Sequence, residues 1–174
     1  MRLEEALKNR SSNIIKKWQN KIIESYPQDT QRFLKKERDR FANPVGYIIN
    51  HEIENLYNAF LNKDKEKLYM CLDNIIRIRA VQDFTPSSAV YFVLQLKDII
   101  REEIGDFKEY SETELNELEN RINSLLLMAF DIYEQCRYKL YEIRVNEVRG
   151  QVSALLKRAN LIYEIPEEMR SEPK

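Results

Sequence analysis

The stretch SETELNELENRINSLLLMAFDIYEQCRYKLYEIRVNEVRGQVSALLKRANLIY, residues 111–163, contains no proline and a single glycine, Gly150. It opens on a capping box, in which the Ser111 hydroxyl bonds forward to the third helical N–H and Glu114 reaches back. Leu115, Leu118, Ile122, Leu125, Ala129, Ile132 and Cys136 then step by three and four, which places them on one face of an α-helix. Tyr141, Val145, Val148, Val152, Leu155, Ala159 and Ile162 repeat the pattern. The join from Cys136 to Tyr141 is a step of five, and at about 100° per residue it turns the apolar face by ~140°. One rigid helix would therefore show its two halves to two different neighbours. A helix of some 50 residues is ~75 Å long, more than a domain of this size spans. The second stripe is thus expected to pack on a partner, a second copy or another protein. The alternative is a bend near 137–143 or at Gly150 that folds both halves into one core.

Toward the N-terminus the chain keeps helical periodicity. Leu3, Leu7, Ile14, Ile15, Trp18 and Ile22 predict a first helix from Leu3 to Ser25, stopped at Tyr26-Pro27. A short helix over 29–37 follows, with Phe33 and Leu34 as its apolar residues. Asn43 reads as an N-cap with Pro44 at the first helical position, where a missing N–H costs nothing. That third helix runs to about Leu61. Asp64 caps a fourth, carrying Leu68, Leu72, Ile75, Ile76 and Val81. Thr85 and Pro86 open a fifth, carrying Val90, Val93, Leu94, Ile100 and Ile104, with Gly105 as its stop. No segment alternates with period two, so the chain reads as all-α.

Composition narrows the function classes. A chain of 174 residues with 43% hydrophobic and 33% charged residues has the makeup of one globular domain with a real core. Lys+Arg (28) and Asp+Glu (29) nearly cancel, so no net basic field recruits nucleic acid. Cys71 and Cys136 form no CxxC pair and are read as small buried hydrophobes in a reducing compartment. The first residues, MRLEEALKNRSS, lack the apolar core of a signal peptide, and the longest apolar run, LLLMAF at 125–130, is far too short to span a bilayer. A cytoplasmic protein without membrane insertion is expected.

The only histidine is His51. With Ile49 at zero on a helical wheel, Val45, Glu52, Ile53, Leu56, Tyr57 and Phe60 fall within about 80° of it. His51 lies near 200°, opposite this face, with Tyr47, Glu54, Asn55 and Asn58. A haem ligand must project into an apolar pocket, and this histidine points away from the expected core. HEIE is not the zinc motif HExxH, and one histidine cannot furnish a di-iron bundle. No nucleophile elbow or phosphate-binding glycine loop occurs. Tyr133, Tyr138 and Tyr141 read as packing at the stripe junction, and Lys157 and Arg158 as partners of a helix C-terminus. No catalytic, cofactor-binding or metal-binding residue is nominated, and the chain is expected not to be an enzyme.

Two stretches carry a family resemblance. RFANPVGYIINHEIENLYNAF and IIRIRAVQDFTPSSAVYFVLQLKDIIREE resemble the RsbRD-type N-terminal domain of regulators related to the RsbR co-antagonists of the stressosome. The most specific parts are Asn43–Gly46 and Val81–Ser87, and the resemblance extends from about Trp18 into the last helix. It implies a haem-free, globin-like bundle of about six helices with a long C-terminal helix, acting as a sensory or scaffold module through helix-mediated contacts. In relatives a STAS output domain follows; this sequence ends at Lys174 without one. The expected organisation is a helical sensory domain over 1–140, an interface extension over 141–165 and a flexible tail over 166–174. The expected partners are a second copy, giving a homodimer, and an unidentified regulatory protein. Tyr141, Val145, Val148, Val152, Leu155 and Ile162 are the candidate interface, and Tyr47, His51 and Asn55 a candidate polar surface. The alternative is a haem- or small-ligand-binding globin-like sensor, accessory to an anaerobic redox system.

Overall fold

The structure, a computed structural model, describes residues 2–36, 41–82, 84–105, 107–159 and 161. Seven α-helices occur among them: α1 (Leu3–Asn9), α2 (Ser11–Glu24), α3 (Gln28–Lys36), α4 (Pro44–Asn62), α5 (Lys65–Val81), α6 (Pro86–Ile104) and α7 (Glu112–Arg158). A 3₁₀ turn, Phe107–Glu109, precedes α7. No strand is present among the described residues. The chain is all-α, with a long C-terminal helix.

Local chemistry sets most of the boundaries. The Asn43 side chain accepts from the Gly46 N–H at 2.8 Å and donates to the Leu34 carbonyl at 3.2 Å, so one buried amide starts α4 and holds the end of α3. Gly46 is needed for space: a Cβ there would stand 2.3 Å from Asn43 Nδ2 and 2.8 Å from its Cγ. Asp64 accepts from the Lys67 N–H at 3.1 Å, and Thr85 caps α6. Ser111 and Glu114 form the expected reciprocal box, with the Glu114 N–H donating to Ser111 and the Ser111 N–H donating to Glu114. Gly105 ends α6 at φ 82°, a backbone conformation that costs glycine nothing.

The first expected helix is in fact two. Arg10, at φ −97° and ψ 6°, separates α1 from α2 within the polar run Asn9–Ser12. No apolar residue lies between Leu7 and Ile14 to anchor a continuous helix there. Three apolar residues also face differently from expectation. Val81 is 66% exposed because it lies ~180° around α5 from buried Leu72. Phe33 and Leu94 are exposed as well. Cys71 is buried as expected, whereas Cys136 is half-buried.

The described residues fall into two compact units, one up to Arg137 and one from Tyr138 onward. In the first, α2 packs on α4 and α6, and α4 on α5. Trp18, Ile49, Ile53, Leu72, Ile76, Val93 and Ile100 are completely buried at its centre. The Trp18 indole N–H donates to the Phe92 carbonyl at 2.7 Å, which removes the cost of burying its polar atom. Leu118, Ile122, Leu125, Ala129 and Ile132 bring the first stripe of α7 into the same core. Each leucine and isoleucine among them contributes ~1.5–3 kcal/mol of transfer free energy. Arg79 is also inside, 1% exposed. Its guanidinium donates to the Ala89 and Ser88 carbonyls at 3.0 and 2.9 Å and to the Ser25 hydroxyl at 3.1 Å, with the Phe84 ring 4.1 Å away. Burial lowers its pKa.

Candidate interaction surfaces

The second unit contains the last part of α7, a helix that runs unbroken through residues 137–143 and Gly150 to Arg158. Every residue from 141 to 150 is exposed. Tyr141, Val145, Val148, Val152 and Leu155 are 52%, 47%, 58%, 47% and 63% exposed, so the structure aligns the expected interface residues on one solvent-facing stripe. Their steps of four, three, four and three match the 3.5-residue repeat by which two helices wrap around each other. Ile162, the sixth expected member, lies outside the described residues, as does the 166–174 segment. Tyr138 and Ile143 add further exposed apolar surface. Tyr133, by contrast, is buried in the first unit, where its hydroxyl donates to the Phe84 carbonyl.

The polar face of α4 behaves differently. Tyr47 and His51 stack with ring centroids 6.0 Å apart and an interplanar angle of 15°. They line a cleft of about 520 Å³ together with Gln19, Asn20, Lys35, Asn50 and Glu54. Asn55 is half-buried and does not line it. An exposed histidine among amides and charges is not the apolar enclosure that haem ligation needs. On the opposite face of α4, half-buried Glu52 meets Cys71, whose thiol is pushed up to about 12 by burial and then by this carboxylate. A thiol held so high is unreactive near neutrality.

A third surface escaped the sequence. Phe60, Lys63, Lys65 and Leu68, around the α4–α5 turn, form a cleft with α7 residues between Thr113 and Met128. The available signal was Arg121, a cation only ~40–60° around the helix from Leu118 and Leu125, on the flank of the buried stripe. Lys63 fastens the mouth of this region by bridging Glu4 at 3.1 Å and Glu117 at 2.8 Å.

The model of the RsbT co-antagonist protein rsbRD N-terminal domain matches residues 12–148. The chain belongs to this family. The match takes in the capped starts of α4, α5, α6 and α7, and it reaches Val148 on the exposed stripe. RsbRD N-terminal domains are related to stress-signalling co-antagonist proteins. No curated protein and no solved structure shows a significant match to the chain. In this RsbRD N-terminal domain no described helix is long and apolar enough to cross a membrane.

Proposed function

We propose that the protein is a non-enzymatic cytoplasmic regulatory module that works by helix-mediated protein–protein contact. The second part of α7 forms a homodimer seam and the surface offered to a regulatory partner. The observation that carries this reading is the stripe Tyr141, Val145, Val148, Val152 and Leu155, each about half or more exposed. Valine and leucine at alternating three- and four-residue steps are what an identical helix complements, because each apolar knob meets a matching hole. Family membership supports a regulatory rather than a metabolic role, since the family is that of an RsbT co-antagonist.

The test is Val148→Glu combined with Val152→Glu, followed by light scattering and thermal unfolding. Wild type should scatter as a dimer and the double variant as a monomer. The melting temperature of the residue 1–137 core should be retained, because neither position belongs to it. A wild type that stays monomeric at all concentrations, or a double variant that remains dimeric, removes the reading.

A further inference from the structure

The cleft between the α4–α5 turn and α7 is open on one side and has a volume of about 610 Å³, within the range that holds small ligands. Its apolar surface comes from Phe60 and Leu125, both buried, and from half-buried Leu68 and Met128. Around this surface stand three cations, Lys63, Lys65 and Arg121, against one carboxylate, Glu117. That carboxylate is engaged by Lys63 at 2.8 Å. Lys65 and Arg121 have no carboxylate within ion-pair distance among the described residues. Arg121 is half-buried; one of its amino groups donates to the Phe60 carbonyl and its guanidinium lies 4.3 Å from the Phe60 ring centroid. A guanidinium offers five N–H donors in a fork that matches a carboxylate, and partial burial strengthens that attraction. Glu117 and Glu4 act on Arg121 through space, yet Lys63, Lys65 and Arg121 outnumber these two carboxylates. An excess of positive charge beside an apolar floor is complementary to a molecule with an anionic head and an apolar body.

We propose that this cleft binds an acyl carboxylate, its head held by Arg121 and Lys65 and its chain laid over Phe60, Leu68, Leu125 and Met128. The site lies wholly within the residue 1–137 unit and does not depend on the α7 seam acting as an interface. Neither lysine nor arginine is needed for chemistry here; the role is recognition.

Calorimetric titration of the full chain with decanoate, kept below its micellar concentration, tests the site. Saturable binding is expected with a dissociation constant below about 0.5 mM, and decanol of equal chain length should bind at least about tenfold more weakly. Lys65→Glu reverses a rim charge and should weaken decanoate by about tenfold. Ser124→Trp, at an exposed wall position, should fill the cleft and abolish binding. In wild-type amide NMR spectra, decanoate should shift signals from residues 60–68 and 113–128, a readout independent of how any variant folds. The absence of saturable binding overturns the proposal, and so does decanol binding as tightly as decanoate. Binding that survives Ser124→Trp but is lost in Val148→Glu/Val152→Glu would place the ligand on the α7 stripe and equally refute the cleft.

Discussion

Arg79 carries a guanidinium into the centre of the helical body, where carbonyls, a hydroxyl and aromatic rings surround it and, among the described residues, no carboxylate bonds it. Two effects oppose each other. Taking the charge out of water is costly, while three hydrogen bonds from a charged donor and the ring contacts return most of that cost. Arg79→Met removes both effects and keeps the stem, so it should cost about 1 kcal/mol or less. Arg79→Ala also opens a cavity and should cost about 3 kcal/mol. Urea denaturation of the two variants measures the difference, and equal losses would show that the guanidinium, not the packing, dominates. This residue was legible in principle. Leu72, Ile75, Ile76, Arg79 and Ala80 keep one helical face, and Arg79 lies only ~20° from Leu72 on the wheel. Arg79 is polar and buried, whereas Val81 is apolar and faces the other way. His51 is exposed, on the side of α4 that a wheel centred on Ile49 turns away from the core, and that wheel needs no knowledge of neighbouring helices.

At the scale of elements, helix starts were the most readable features, since a cap is written within four residues. Asn43, Asp64, Thr85 and Ser111 all cap as their sequences imply. The division at Arg10 is marked by no proline or glycine, and the polar gap between Leu7 and Ile14 is its one trace in the sequence. The Asn43–Gly46 pair has an energetic signature of its own. Asn43→Ala should destabilise by about 1–2 kcal/mol through loss of the cap. Gly46→Ala in wild type should also destabilise, since its Cβ would collide with the Asn43 amide. In the Asn43→Ala background the collision is gone, and the better helix propensity of alanine should make Gly46→Ala stabilising by up to about 1 kcal/mol. A double-mutant cycle read by thermal unfolding checks this reversal of sign; additive costs would refute the coupling.

For the molecule as a whole, the two stripes of α7 were legible from the five-residue step at Cys136–Tyr141. The acyl cleft was not, because its walls come from residues 60–68 and 113–128 and meet only after folding. Long-range carboxylates also tie the body together. Glu103 is bound by Lys17 at 2.7 Å, Glu117 by Lys63 at 2.8 Å and Glu119 by Lys97 at 2.6 Å. These lysine contacts hold all three below the ordinary carboxylate range, and the Ser111 hydroxyl does the same for Glu114. A carboxylate whose folded pKa is depressed stabilises fully above its unfolded value and loses that contribution as pH falls through the folded one. The melting temperature should therefore be flat from pH 7 to about 5 and fall progressively below about 4.5. Glu114→Gln should lower it at pH 7 and flatten the acid decline, as circular dichroism melts at several pH values can show; an unchanged slope would exclude Glu114 as a contributor. Glu114 does one thing more, accepting the Leu3 N–H at 3.2 Å across 111 residues of sequence. On the ribosome, α1 can meet Tyr57, whose hydroxyl donates to the Leu7 carbonyl, well before Glu114 exists. At 5–20 residues per second the last fastening arrives about 6–22 s after Leu3 is made, so the first helix of the chain is among the last to be locked.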